Sequence, residues 1–343
     1  MKVFLFAFNA IAPIILLILL GYLLKKIKFL DVDWFKKGNK LIFRVCLPVL
    51  LFMNVYHIES LAEIDWTVVL YAEIIIVLVF FLGLLFVRFT VPKDRQKGVI
   101  LQCVFRSNFA IIGIPLAESL GGEEAMGIAA VLSAFSIPTF NILAVIALTM
   151  FHKDENGNKA SLVDTLKKIA TNPLILGVVC GLAVLAVRSI IPANPDGSGE
   201  LVFSIRNTLP WVYNTLNNLS KISSPLALII LGGQFDFAAV KELRKQIAIG
   251  TLARVVIVPT IAIGLAITLS TFTSLIDFSA EVYPAFIALF GTPVAVSSAI
   301  MAQEMDNDGT LAGQLVVWTS IASIFTIFFF VVVCAILIPG FTY

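Results

Sequence analysis

Apolar runs of about 20 residues recur along the whole chain, each closed off by polar or charged positions. Ten of them, TM1 to TM10, occupy 3–24, 38–58, 67–89, 98–120, 125–150, 172–192, 210–235, 246–270, 282–303 and 311–338. At 1.5 Å of rise per residue, a helix of that length spans roughly 30 Å of hydrocarbon. The pattern predicts an all-α integral membrane protein with ten transmembrane helices. Two runs depart from plain helix. TM4 contains Arg106-Ser107-Asn108 followed by Gly113-Ile114-Pro115, and TM9 contains Gly291-Thr292-Pro293 followed by Ser297-Ser298. In hydrocarbon every backbone N–H and C=O needs an internal partner, so such breaks persist only where protein or a water-filled cavity receives the freed groups. Two breaks at matching depth, one per half of the chain, are the pattern of a secondary transporter's binding site.

The division into halves is itself readable. Ten spans separate into five and five around the basic connection 151–171. An odd number of crossings per half makes the second half run upside down relative to the first. The expected domains are a first inverted repeat over 1–150 (TM1–TM5), the cytoplasmic connection 151–171, and a second repeat over 172–343 (TM6–TM10). Echoes in sequence accompany the division. Pro13 and Gly21 recur as Pro173 and Gly181 at one spacing, Pro48 answers Pro225, and Ser107 and Glu118 answer Pro293 and Glu304.

Composition and charge then fix the class and orientation. The chain is 59% hydrophobic and 13% charged, and no polar connection is long enough to hold a core of its own. The first run is too long for a signal-peptide core and is followed by Lys25, Lys26 and Lys28, so it is expected to remain as a helix. Most of the 24 Lys and Arg fall in the connections after TM1, TM3, TM5 and TM7, whereas the opposite side carries Glu59, Glu63, Asp65, Glu123 and Glu124. Positive-inside bias puts the first set in the cytoplasm and both termini outside. The acidic segment Glu304–Asp308 dissents, but the rule counts Lys and Arg, not net charge. The expected location is the cell (cytoplasmic) membrane. A net charge of +2 gives no sign of nucleic-acid binding.

Candidate chemistry centres on the two breaks. Asn108 lies near mid-membrane, its amide offers donors and an acceptor, and Ser107 adds a hydroxyl. A half-helix starting there would present free N–H groups and partial positive charge to an anion. A bond to a neighbouring helix is the alternative use of Asn108. Pro293 removes a donor and clashes with a carbonyl one turn back, so TM9 is expected to break at Gly291–Pro293. Gly113 and Pro115 are the disruptors in TM4. Arg106 adjoins the break and is placed to attract a carboxylate, with Thr292, Ser133 and Asn141 as further candidate contacts. Asn54 and Thr139 suit cavity walls or helix–helix bonds equally. Arg44 and Arg254 are expected to snorkel or pair structurally, and Lys221 to lie at the interface. No span is read as carrying a central Asp or Glu, which argues against cation exchange. The four cysteines are read as packed thiols, so no metal or cofactor is expected. Motifs for serine hydrolases, zinc proteases and aspartyl dyads are absent, so no enzyme is expected.

At these stretches the sequence resembles the auxin efflux carrier family, which includes the plant PIN proteins and bacterial permeases assigned to malate and related acids. The segment Ser107-Asn108-Phe109-Ala110-Ile111-Ile112-Gly113-Ile114-Pro115-Leu116 is similar to the family's signature of an asparagine followed shortly by Gly-Ile-Pro-Leu. Pro225-Leu226-Ala227-Leu228, Arg254 with Pro259, and Thr292-Pro293 through Ala302-Gln303-Glu304 resemble its signatures in TM7, TM8 and TM9. The resemblance implies crossing broken helices TM4 and TM9, a scaffold of TM1, TM2, TM6 and TM7, and a transport bundle of TM3–TM5 with TM8–TM10 that moves as an elevator. It implies that Asn108 contacts a carboxylate substrate. Ser133 stands where plant members have glutamine and Leu51 where they have serine; the apolar Leu51 and the missing proline before Asn108 point away from auxin toward another small organic anion, such as a dicarboxylate. The expected partners are that anion and the lipid bilayer. Related carriers are often dimers, so a homodimer is an open expectation. A sodium- or proton-coupled symporter of the same broad fold is the alternative, with Ser297, Ser298 and carbonyls near Pro293 as sodium ligands.

Overall fold

The computed structural model describes residues 2–57, 65–151, 167, 170–188, 190–191, 203–273 and 276–341. Eleven helices carry the described chain. They are α1 (Lys2–Lys26), α2 (Val32–Tyr56), α3 (Trp66–Thr90), α4 (Asp94–Phe105), α5 (Phe109–Thr149), α6 (Pro173–Arg188), α7 (Pro210–Gln234), α8 (Ala239–Ser270), α9 (Val282–Gly291), α10 (Ser297–Glu304) and α11 (Gly309–Leu337), with a single extra turn at Ile205–Thr208. Among the described residues no strand forms; one isolated antiparallel bridge joins Ser107 to Val294.

Helix starts follow the polar residues that precede the apolar runs. Asp31 accepts from the Trp34 N–H, Asp65 from those of Thr67 and Val68, and Asp308 from that of Leu311. Each supplies the side-chain acceptor that an exposed first turn lacks. Prolines act differently inside long helices. Wide π-turns at Ile42–Cys46, Phe109–Gly113 and Ala253–Ile257 each lie just ahead of Pro48, Pro115 and Pro259. The longer loop of backbone gives the ring room that a regular turn denies it.

Among the described residues, five helices are both long and apolar enough to cross a membrane: α2, α3, α5, α8 and α11. α6 and α9 are apolar but shorter. TM4 and TM9 are each divided, as their breaks predict. The second half of TM4 runs on into TM5 as one helix, α5, bent where Gly121 and Gly122 leave helical geometry. Gly122 has φ +69°, a conformation that glycine adopts without strain. Of the connection 151–171 only Phe151, Lys167, Ala170 and Thr171 are described; Lys153, Lys159 and Lys168 lie outside the described residues, as do Glu59 and Glu63.

The packing sorts the helices into neighbours. α1 lies along α7, and α2 along α6 and α7; α3 packs on α4 and α5, α5 on α9, and α11 on α8, α9 and α10. One expectation is overturned. Glu73 sits inside apolar α3, about 10 Å from its start at 1.5 Å per residue. Its Oε2 accepts from the Thr139 hydroxyl at 2.7 Å, while Oε1 is buried without a partner. A single acid in an otherwise apolar run leaves the hydrophobic pattern intact, so the run reads as uncharged.

Candidate functional site

α4 stops at Phe105 because the next residues turn extended: Arg106 has φ −88° and ψ 110°. α9 stops at Gly291, and Thr292 is extended at φ −71° and ψ 155°. Pro293, with no N–H to give, contributes only its carbonyl, which accepts from the Asn108 N–H at 2.8 Å. Val294 then donates to the Thr319 hydroxyl of α11 at 3.2 Å. The two interruptions therefore meet and satisfy part of each other's backbone. Helix resumes on one side when Ile112 and Gly113 donate to the Asn108 carbonyl, and on the other at Ser297.

Two buried guanidiniums flank this meeting point. Arg254, fully buried, donates Nε to Thr292 O, Nη1 to Val104 O and Phe105 O, and Nη2 to Leu289 O and Phe290 O, at 2.9 to 3.3 Å. All five of its donors are used, and every acceptor is a carbonyl at the end of α4 or α9. It does not snorkel; structural pairing was the other expected role. Arg106 is 3% exposed and differently served. Its Nη2 donates to Asn141 Oδ1 at 2.7 Å and Ser297 Oγ at 2.9 Å, and Nη1 to the Met301 sulfur, a weak acceptor. Neither has a carboxylate partner: the one ion pair among the described residues is Lys97–Asp94.

Arg106, Ser107, Asn108 and Asn141 line a cavity of about 60 Å³ with Leu51, Asn54, Ser224 and Ser297. The cavity has room for a few waters but is well below the roughly 300 Å³ of ordinary ligand sites. Three hydrogen-bonding atoms at the break are buried without partners: Ser107 Oγ, Asn108 Nδ2 and Ser298 Oγ. Polar atoms so placed are normally satisfied. The wall thus combines an undersupplied cation with unused donors, which is the chemistry of an anion site.

Other candidates lie off the cavity. Thr292 is fully buried; its hydroxyl donates to Ala288 O and its carbonyl accepts from Arg254 Nε. Pro293 serves Asn108 through its carbonyl. Ser133 donates back to Ala130 O and is not on the cavity wall, and Thr139 faces Glu73. Gly113 brings α5 against α9, where an added Cβ would stand 3.0 Å from Ala288 O; Pro115 follows its π-turn, and Gly291 closes α9. Arg44 and Lys221 are exposed. Ser224 is a wall residue that the pattern did not single out; its one signal was its position before Pro225. The expected sodium ligands are engaged in part, Ser297 by Arg106 and the Pro293 carbonyl by Asn108.

A family model described as membrane transport protein matches residues 6–331. A comparison with curated proteins found no match.

Proposed function

The chain belongs to the membrane transport protein family, that of the auxin efflux carriers, and on that footing we propose that it is a secondary carrier for a small organic anion, with a carboxylate held at the meeting of TM4 and TM9. One observation carries the proposal: Arg106 is a buried cation on the wall of a largely apolar cavity at the break, with no protein carboxylate and incompletely supplied donors. A lone buried charge is costly unless something completes it. A carboxylate can take two donors of a guanidinium at once and would also meet the unused Asn108 and Ser107 groups.

Alternating access by an elevator movement is the proposed cycle, TM3–TM5 and TM8–TM10 sliding past TM1, TM2, TM6 and TM7. The proposed inverted repeat draws support from two close approaches. A Cβ on Gly21 would meet Ile229 O, and one on Gly181 would meet Phe52 O. Gly181 answers Gly21 in the sequence echoes, and Phe52 is separated from Ile229 by the spacing that relates Pro48 to Pro225. An inside-negative potential favours anion exit by about 2.3 kcal/mol per charge per 100 mV, so export is the proposed direction, from the cytoplasm across the cell membrane.

The test is thermal stabilisation of purified protein by a panel of mono- and dicarboxylates, repeated with Arg106→Gln and Asn108→Ala. Since Asn108 Nδ2 bonds nothing, its removal costs folding little. We expect at least one carboxylate to stabilise the wild type and both variants to bind it roughly tenfold more weakly or worse, a loss of about 1.4 kcal/mol. Wild-type affinity in both variants refutes the site. A proton-coupled carrier is favoured by Glu73 alone; flux whose pH dependence is unchanged in Glu73→Gln refutes it.

A further inference from the structure

Arg254 does more than fill a core position. Helix C-termini leave four carbonyls without intrahelical donors and carry partial negative charge. Here two such ends, of α4 and α9, aim five carbonyls at one fully buried guanidinium. In carriers built on discontinuous helices, half-helix C-termini and unwound carbonyls are the groups that coordinate a coupling cation. We propose that Arg254 is the resident cation of this crossing: its guanidinium takes the place that a bound Na⁺ would otherwise hold, so the crossing assembles without any dissolved cation. This rests on the carrier reading and decides its coupling class, since a cation tethered to α8 cannot be exchanged with either solution.

The geometry favours this over a purely local packing role. All five donors go to backbone, none to side chains of α8's own neighbourhood, and the acceptors belong to both broken spans. Removing the head group would leave five carbonyls facing one another with no donor, a cluster that attracts a cation of suitable size.

The test uses the full chain purified in detergent, with no substrate present. Wild-type melting midpoints are compared in sodium, potassium and N-methylglucamine chloride at equal ionic strength, and are expected to coincide. Arg254→Ala is expected to melt earlier and to be restored saturably by millimolar guanidinium, with N-methylglucamine inert and wild type unmoved. A loss of packing alone would not respond to one small planar cation. The proposal is overturned if wild type gains stability saturably from sodium, or if the variant ignores guanidinium. Should the variant not accumulate, saturable stabilisation of the wild type by sodium still overturns the proposal. Because carboxylate plays no part in this readout, its failure leaves the Arg106 site standing, and failure of the Arg106 variants leaves this result standing.

Discussion

The contact between α1 and α7 permits a sharp perturbation. A Cβ at Gly232 would lie 1.9 Å from Ile18 O and 2.7 Å from Ile18 C, and a Cβ at Gly21 would lie 1.9 Å from Ile229 O. Ordinary contact begins at 3.4 Å, so Gly232→Ala forces the two backbones apart by about 1.5 Å. Backbone carbonyls cannot swing aside as a flexible side chain does. A radial gap of 0.5–1 Å already forfeits a quarter to a half of a dispersion contact, and this shift exceeds it. Overpacking of this kind costs typically about 1–3 kcal/mol, and we expect the upper end here. Gly21→Ala should cost as much, and the double variant clearly less than the sum, because helices parted for one methyl admit the other. Melting of the detergent-purified protein, followed by tryptophan fluorescence, reads the effect. Gly264→Ala is the control, since a Cβ there meets nothing within 4 Å. Reasoning from close approach fails if Gly232→Ala melts with wild type, or if Gly264→Ala is equally destabilised.

Two further expectations follow from single hydrogen bonds. Thr319→Val removes the acceptor of the buried Val294 N–H and should cost about 1–3 kcal/mol in the same melting assay, while Thr319→Ser should retain most of the stability. Asn39, fully buried in α2, donates to Glu304 Oε1 at the end of α10 at 2.7 Å. Asn39→Ala should loosen α2 from α10 and speed maleimide labelling of Thr310→Cys, measured in a Cys180→Ser background because Cys180 is the exposed thiol among the four. Unchanged labelling would show that this bond does not hold the two helices together.

What was legible in the chain was local. Arg106-Ser107-Asn108 and Gly291-Thr292-Pro293 interrupt apolar runs with residues that disfavour helix, so both breaks could be read directly. Caps at Asp31, Asp65 and Asp308 are equally local. What pairs with what was not legible. Arg254 is a lone basic residue in an apolar run, and its acceptors lie 35 to 150 residues away. Its choice between reaching water and binding carbonyls is made by where α4 and α9 end in space. Glu73 was passed over because one acid leaves the apolar run intact; only its pairing with Thr139, 66 residues distant, was beyond reach of the sequence. Thr292 shows the converse: a polar residue at the break reads as a ligand contact, yet its hydroxyl returns to its own helix at Ala288 O. Nothing in the sequence distinguishes the two uses, because a threonine in a helix commonly bonds back one turn.

The two guanidiniums also bear on which anion suits the proposed cycle. Arg254 is offset by dipoles, which carry no net charge, so it adds +1 to any body that moves with TM8; Arg106 adds another with TM4. Even with Glu73 ionised, these three groups leave the empty crossing positive, and an inside-negative potential draws it toward the cytoplasm. A bound monocarboxylate lowers the charge by one, and with Glu73 protonated the loaded crossing still moves outward against the potential, at about 2.3 kcal/mol per 100 mV for a full crossing of the field. A dicarboxylate cancels both guanidiniums, so the loaded step is neutral and the potential acts on the empty return alone. With Glu73 protonated, the electrostatics of the crossing therefore favour a dianion for export without an ion partner; with Glu73 ionised the same count makes a monocarboxylate the neutral load. Carboxylate counterflow in vesicles clamped at different potentials checks this: outward movement of a monocarboxylate as fast and as potential-independent as that of a dicarboxylate would refute it.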